Sequence, residues 1–336
     1  MECMGITSSM QEIPESYLWS EEDRPMENTT GENSVPLIDL QEKDEAKIMR
    51  QLRSACENGF FQIVNHGVPH ELLHSIENQA RLLFSLPLEE KLKARRTSDG
   101  LAGYGVARIA SFFSKQMWSE GFTWIGSAEE HAKKIWPHDY DHFCHVKEKY
   151  EDAIKRLALR LIGLISGSLA LNKSLMEMMK GEESFGVVQM NHYPVCWQPH
   201  RTMGMAPHTD SSLLTLLYQG GVEGLQFQLH RQRHEDWIVA PALPNGLVVI
   251  LGDLIQVLSN GRYKSAVHRA VPNSRRSRIS LAYIWGPSLN AVIKPSPDLV
   301  DSHHPLSYKA FTWSEYLRAK AVHFNTTLQF FKQSLV

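Results

Sequence analysis

Residues 206–217 read APHTDSSLLTLL and form a mostly small and aliphatic run that contains one histidine and one aspartate. On a β-strand, residues two apart share a face, so His208 and Asp210 are expected to project together, with Thr209 turned away. Burying a histidine beside a carboxylate on an apolar strand is costly unless both have a partner. A metal ion is one such partner, and a simple His–Asp hydrogen bond that organises the strand is the alternative.

A third metal ligand is available further along the chain. His268 lies in the run YKSAVHRAV, 58 positions after Asp210. Two histidines and one carboxylate can occupy one face of an octahedral Fe(II) ion and leave three positions open. Catalytic zinc accepts the same three ligands with water in the remaining position. The pattern alone therefore leaves iron and zinc both open.

A second pair of spaced polar residues follows in RSRISLAYIWGP. Arg278 and Ser280 are two apart in a pattern typical of a strand, so they are expected to share a face. A guanidinium binds a carboxylate through two parallel hydrogen bonds, and a serine hydroxyl adds a third. Asn191 and Tyr193 show the same spacing in NHYP and are expected to reach the same ligand. A small diacid suits such a site, whereas an internal salt bridge is the alternative role for Arg278.

The order of the remaining patterns indicates a mixed α and β fold. Runs with helical spacing occupy residues 44–58, 69–87 and 145–171, and the first of them stops at Gly59. After residue 185 the chain becomes a series of short β-rich runs, including 246–259, separated by Gly, Pro and Asn. We predict a jelly-roll core formed by the C-terminal half, with a helical N-terminal half wrapped around it.

We divide the chain accordingly into five regions. These are a flexible lead-in at 1–34, a helical and β region at 35–145, a long helical connection at 146–182, the jelly-roll core at 183–290, and a C-terminal helical segment packing on that core at 291–336.

Composition narrows the class of partner. The 336 residues carry a formal net charge of -2, with a pI of about 6.8, so no general attraction to nucleic acid is expected. The N-terminus lacks a basic start followed by an apolar run, and no stretch is apolar enough to span a membrane. Four widely spaced cysteines suggest free thiols. We expect a cytoplasmic protein without an obligate protein partner.

The motifs together resemble those of the plant 2-oxoglutarate- and iron(II)-dependent dioxygenases. The resemblance runs from about residue 35 to about residue 332 and rests on VPLIDL, ACENGFFQIVNHGVP, FSLPLEEKLKA, NHYPVC, HTD, GDLIQVLSNGRYKSAVHRA and RISLAYIWGP, in that order. Within the family, GYGVARIASFFSKQMWSEGFTWIGS, MNHYPVC and TWSEYLRAKAVHFNTTL are most similar to gibberellin 3-beta-dioxygenases.

The resemblance implies a double-stranded β-helix, which is a jelly-roll variant, flanked by helices. It also implies Fe(II), 2-oxoglutarate and O2 as reactants, ascorbate as an activator, and a gibberellin, a diterpenoid acid, as substrate. The residues that match the family's iron ligands are His208, Asp210 and His268, and those that match its 2-oxoglutarate site are Arg278, Ser280, Asn191 and Tyr193.

For the gibberellin we expect an apolar pocket with a few polar anchors. The candidate residues are Tyr104, Arg108, Tyr283 and Trp285, whereas the basic run at 230–236 is interpreted as a solvated hairpin tip. Alternative activities are a gibberellin oxidase acting at carbon 2, at another ring-A position or at several positions, or another plant 2-oxoglutarate dioxygenase of specialised metabolism. Outside that class, the alternatives are a zinc hydrolase and a non-enzymatic β-barrel binding protein.

Overall fold

The structure is a computed structural model that describes residues 12–25, 35–98, 100–136, 138–171, 175, 184–229 and 237–333. These residues form the helices α1 (Glu45–Asn58), α2 (His70–Ser85), α3 (Leu88–Leu92), α4 (Glu129–Ile135), α5 (Tyr140–Ser168), α6 (Asp253–Leu258), α7 (Trp313–His323) and α8 (Thr327–Phe330). They also form the strands β1 (Leu37–Asp39), β2 (Phe60–Val64), β3 (Gly103–Gly105), β4 (Glu120–Ile125), β5 (Phe185–Tyr193), β6 (Met205–His208), β7 (Leu214–Tyr218), β8 (Leu225–Gln228), β9 (Trp237–Val239), β10 (Leu247–Leu251), β11 (His268–Ala270), β12 (Arg278–Gly286), β13 (Val292–Ile293) and β14 (Phe311–Thr312).

Two sheets make up the β-core. The larger has eight strands in the order β1-β2-β10-β7-β12-β5-β4-β3, and the smaller has four in the order β6-β11-β8-β9. Strands β1 and β2 are parallel, whereas the other neighbouring pairs of both sheets are antiparallel. The predicted mixed fold, with a jelly-roll core flanked by helices, is confirmed.

The larger sheet has two different buried faces. On β12, the side chains of Ile279, Leu281, Tyr283 and Trp285 belong to the main core, which also contains the apolar residues of α1, α2 and α5. Apolar side chains on the opposite face of that sheet pack with those of the smaller sheet in a second cluster, formed by Val35, Phe60, Leu217, Leu225, Phe227, Ile238, Ala240, Val248, Ile250, Ala266 and Ala282. The interior between the sheets is therefore separate from the helix-facing core.

The helix boundaries follow local chemistry. Asp44 caps α1 by accepting a hydrogen bond from the backbone N–H of Lys47 at 3.1 Å. The helix ends at Gly59, as predicted, where a φ of 88° places the backbone in the left-handed region that favours glycine. Pro69 directly precedes α2, and α5 covers most of the predicted helix at 145–171.

The N-terminal half contributes strands as well as helices, since β1 to β4 supply four of the eight strands in the larger sheet. One fold prediction was wrong in part. The run 246–259 is not one strand, since β10 ends at Leu251 and α6 begins at Asp253. A fully buried helix and a fully buried strand are both apolar throughout, so periodicity does not separate them.

Part of the predicted lead-in packs against the rest of the chain. Ile13, Tyr17 and Trp19 are buried, and the backbone N–H of Trp19 donates to the carbonyl of Arg201 at 3.0 Å. Residues 1–11 and 26–34, and the basic run at 230–236, lie outside the described residues. None of the helices that are described is long and apolar enough to cross a bilayer.

A charged network ties β3, β4, β5 and α3 together around Glu120. One carboxylate oxygen accepts hydrogen bonds from Lys91 Nζ at 2.6 Å and from the Tyr104 hydroxyl at 2.5 Å, and the other accepts from His192 Nδ1 at 2.8 Å. Burial opposes ionisation, but His192, Lys91 and Tyr104 together hold the pKa of Glu120 below its usual range. The network therefore stabilises an ionised carboxylate that is largely removed from water.

We expect Glu120→Gln to lower the free energy of unfolding by about 3 kcal/mol at pH 7, because the buried Lys91 ammonium loses its charged partner. A carboxyl with a lowered pKa stabilises the fold above its unfolded pKa and loses that contribution as the pH falls through its folded pKa. The difference between wild type and variant should thus shrink below about pH 4. Urea titrations across this range measure it, with the exposed Glu130→Gln as a control that should change stability little. An equal difference at pH 7 and pH 3 would contradict the electrostatic explanation.

Candidate metal and 2-oxoglutarate site

The three predicted metal ligands meet between the two sheets. His208 ends β6 and lies directly opposite His268, the first residue of the neighbouring strand β11. Asp210 follows β6 and is not part of the strand, contrary to the sequence-based expectation. Its Oδ1 is nevertheless 3.7 Å from His208 Nε2 and 3.8 Å from His268 Nε2. Each residue can offer one ligand atom, and the three atoms lie within 4.8 Å of one another.

Backbone carbonyls orient both imidazole rings. The Nδ1–H of His208 donates to the carbonyl of Ala206 at 2.8 Å, and the Nδ1–H of His268 donates to that of Ala266 at 3.0 Å. Carbonyl oxygens only accept hydrogen bonds, so each ring carries a proton on Nδ1, and its Nε2 lies on the side of Asp210. Such hydrogen bonds are the usual way in which metal-binding histidines are fixed.

Electrostatics keep the cluster in the form that binds a cation. Burial and the neighbouring His268 lower the pKa of His208 to about 4, so this imidazole is neutral at pH 7. Burial would raise the pKa of Asp210, but the two histidines and a 2.5 Å hydrogen bond from Thr215 hold it below its usual range. Two histidines and one carboxylate fit the facial ligand set of a non-haem Fe(II) ion.

Arg278 begins β12 and is only 1% exposed. Its Nε donates to the carbonyl of Val222 at 3.0 Å, and one Nη donates to Oε1 of Gln219 at 3.3 Å. The guanidinium carbon lies 5.0 Å from the ring centre of Tyr193. Among the described residues, no carboxylate lies within 4.0 Å of this guanidinium, so the structure provides no salt bridge to account for its burial. The site suits an anionic ligand.

The four residues predicted to bind 2-oxoglutarate form two cross-strand pairs. Arg278 on β12 lies opposite Tyr193 on β5, and Ser280 lies opposite Asn191. Asn191 Nδ2 donates to the Ser280 hydroxyl at 3.4 Å. All four line one cavity of about 90 Å³ together with the three candidate metal ligands. The structure therefore brings the seven predicted residues to one place.

Three further polar residues line this cavity and were not predicted from the sequence, namely Gln189, Thr215 and Arg269. Gln189 precedes Asn191 by two residues on β5 and donates to its Oδ1 at 2.9 Å. Thr215 on β7 holds Asp210, as described above. The period of two that selected Asn191 and Tyr193 also selects Gln189, so the signal for this residue was present.

The four predicted gibberellin-binding residues do not line the cavity. Tyr283 and Trp285 lie on the helix-facing side of β12 and are buried in the main core, because both are an odd number of positions from Arg278. Tyr104 is buried against Glu120 on β3. Arg108 is exposed at the start of a short 3₁₀-helix that ends at Phe112. We therefore do not retain Tyr104, Tyr283 and Trp285 as candidates for gibberellin binding.

Comparison with known proteins identifies the class to which this site belongs. The profile of the 2OG-Fe(II) oxygenase superfamily matches residues 184–287, and that of the non-haem dioxygenase in morphine synthesis N-terminal region matches residues 35–141. The chain belongs to the 2OG-Fe(II) oxygenase superfamily. It is a 2-oxoglutarate-dependent dioxygenase that uses Fe(II).

The relatives place the chain within that superfamily more narrowly. It is 45% identical to gibberellin 3-beta-dioxygenase 1 of Arabidopsis thaliana, over 96% of this chain and 91% of the relative. It is 42% identical to gibberellin 3-beta-dioxygenase 1 of Pisum sativum, over 96% and 87%. Among solved structures, JOX2 in complex with 2OG, Fe and JA matches with a TM-score of 0.84 and 28% identity, over 97% of this chain and 95% of JOX2.

Proposed function

We propose that this enzyme hydroxylates carbon 3 of a gibberellin on the β face, with 2-oxoglutarate and O2 as co-substrates. The observation that carries the proposal is the likeness to gibberellin 3-beta-dioxygenases over almost the whole chain. The assembled cavity supports it, because the ligand set and the buried guanidinium that such a reaction needs are both present in this chain.

The roles of the cavity residues follow from their chemistry. We assign Arg278 and Ser280 to the carboxylate of 2-oxoglutarate that is remote from the metal, since a buried guanidinium and a hydroxyl form a preorganised anion site. Asn191 and Tyr193 support that end of the ligand from the neighbouring strand. His208, Asp210 and His268 would hold the iron on one side and leave three positions for other molecules.

Bound Fe(II) would supply oxygen activation coupled to the oxidative decarboxylation of 2-oxoglutarate to succinate and CO2. The protein contributes orientation and a sheltered environment. Much of the cavity wall is formed by the apolar side chains of Leu217, Leu225, Ile250, Ala282 and Ile284. These side chains keep water from the reacting groups.

The cavity contains the residues assigned to the metal and to 2-oxoglutarate, and the four residues predicted to bind the gibberellin do not line it. We infer that the gibberellin lies across the mouth and directs one C–H bond inward. Which carbon is hydroxylated then depends on small changes in its placement.

A product profile by mass spectrometry tests this function. Purified enzyme is incubated with Fe(II), 2-oxoglutarate, ascorbate, O2 and a gibberellin that lacks ring-A hydroxyls. We expect a 3β-hydroxylated product and one succinate for each hydroxyl formed. Ascorbate is expected to act as an activator and to raise the number of turnovers. We propose that the reaction takes place in the cytoplasm.

Other product patterns would contradict the proposal in different ways. Hydroxylation at carbon 2, or at several positions, would assign the enzyme to another gibberellin oxidase activity. Succinate without an oxidised gibberellin would point to a different substrate within specialised metabolism. A folded, iron-loaded protein that forms neither succinate nor product would overturn the proposed catalytic function.

A further inference from the structure

The residue between the two ligands on the HTD segment makes contacts on the side away from the cavity. Thr209 Oγ1 donates to Asp253 Oδ2 at 3.0 Å and accepts from Lys320 Nζ at 2.7 Å. Strand β6 ends at His208, so neither Thr209 nor Asp210 belongs to a β-ladder. The position of both peptide groups therefore depends on contacts from outside the sheet.

Asp253 is the centre of these contacts. It begins α6 and is fully buried, and its backbone N–H donates to the carbonyl of Asp210 at 2.8 Å. Its Oδ2 accepts from Lys320 Nζ at 2.8 Å and from the hydroxyl of Tyr316. Within the described part of the chain, Lys320 is the cation paired with this carboxylate. Removing the ammonium would leave a buried charge without its counterion.

Helix α7 contacts the same segment at both of its ends. Trp313 Nε1 donates to the carbonyl of Ser211 at 2.7 Å. Just after the helix, Asn325 Nδ2 donates to the carbonyl of Pro207 at 3.1 Å, and its Oδ1 accepts from the backbone N–H of Thr209 at 3.4 Å. Helix α7 and the turn that follows it thus contact the ligand-bearing segment before, between and after the two ligands.

We propose that Lys320 is a positioning residue for the metal site. Its ammonium on α7 donates hydrogen bonds to both Thr209 and Asp253. These two hydrogen bonds hold in place the peptide groups that carry His208 and Asp210. Metal affinity depends on how well the ligands are oriented before the ion binds, and the loss of one orienting contact typically lowers affinity by about 10- to 100-fold. The proposal rests on the metal site and not on the identity of the organic substrate.

The test measures metal binding without turnover. Mn(II) is titrated into metal-free enzyme, with no 2-oxoglutarate or gibberellin present, by calorimetry or by the loss of its free electron paramagnetic resonance signal. We expect Lys320→Met to weaken Mn(II) binding by about 10- to 100-fold. Arg318→Met removes an exposed cation from the same helix and should bind Mn(II) as the wild type does.

A second variant separates positioning from folding. Thr209→Val keeps the shape of the side chain and leaves the Lys320–Asp253 pair intact, so it should also weaken Mn(II) binding, whereas Thr209→Ser should restore it. Unchanged Mn(II) affinity in a folded Lys320→Met protein would show that the lysine only stabilises the fold. If circular dichroism shows that Lys320→Met is unfolded, unchanged affinity in Thr209→Val would overturn the proposal. A different gibberellin product would leave these results unaffected.

Discussion

Replacing Asp210 with alanine is expected to abolish succinate formation and to weaken metal binding by more than about 100-fold. Loss of a group that merely orients a ligand already costs about 10- to 100-fold in affinity, and Asp210 is itself a ligand. It is also the one carboxylate in the cluster of described residues, and its Oδ1 lies nearly equidistant from the two imidazole nitrogens. Without it, two histidines would remain to bind the cation, with no negatively charged ligand beside them.

Two measurements check this expectation. Mn(II) titration reports the metal affinity, and mass spectrometry reports succinate and hydroxylated product. Asp298→Ala is a suitable control because it removes an exposed carboxylate that does not line the cavity. A folded Asp210→Ala protein that still binds Mn(II) tightly, or forms succinate at more than a hundredth of the wild-type rate, would exclude Asp210 as a ligand.

Replacing Arg278 with lysine is expected to raise the KM for 2-oxoglutarate by about 10- to 100-fold. Lysine keeps a positive charge but replaces a planar fork with a single flexible ammonium, so one charge-assisted hydrogen bond is lost. Such bonds contribute about 1.5–3 kcal/mol, which corresponds to that range of affinity. The ammonium also loses the contacts that place the guanidinium against Val222 and Gln219.

Steady-state kinetics with varied 2-oxoglutarate measure this effect. We expect kcat to change less than KM, because saturating co-substrate refills the site. Arg276→Lys is the matched control, since this exposed guanidinium donates to the carbonyl of Gly221 near the same turn but does not line the cavity. An unchanged KM in Arg278→Lys would show that another residue anchors 2-oxoglutarate.

The residues that form the cavity were predictable because each pair lies two positions apart in a regular strand or at its end. Arg278 with Ser280 and Asn191 with Tyr193 share a face for that reason, and the structure pairs them across β12 and β5. His208 and Asp210 converge although the strand ends between them. The spacing of His208 and Asp210 correctly predicted that their side chains lie close together, but Asp210 is not on the strand as we expected.

The alternation of side chains along a strand would have excluded two residues that we nevertheless predicted to bind the gibberellin. Tyr283 and Trp285 are five and seven positions from Arg278, so a regular strand directs them to the opposite face. Aromatic character suggested a ligand pocket, whereas packing against the helices is what the strand requires. Tyr104 differs, since its partner Glu120 lies sixteen positions away and only the tertiary fold joins them.

The contacts behind the metal ligands could not be read from the sequence. Thr209, Asp253 and Lys320 are separated by 44 and 67 positions, and no periodic pattern relates them. Asp253 also lies where the sequence suggested a continuing strand. Side chains joined only by the packing of α6 and α7 against the end of β6 give no local signal.

The alternation of side chains along strand β12 makes this part of the protein sensitive to insertions and deletions. Its even-numbered side chains from Arg278 onward serve the cavity, and its odd-numbered side chains fill the core under the helices. One residue inserted before the strand, with its pairing to β5 kept, would exchange the two sets. The guanidinium would then enter the helix-facing core, and bulky apolar side chains would fill the co-substrate chamber. A single-codon change in length here would therefore remove the anchor and disrupt the core at once, whereas point changes on either face affect mainly one of them.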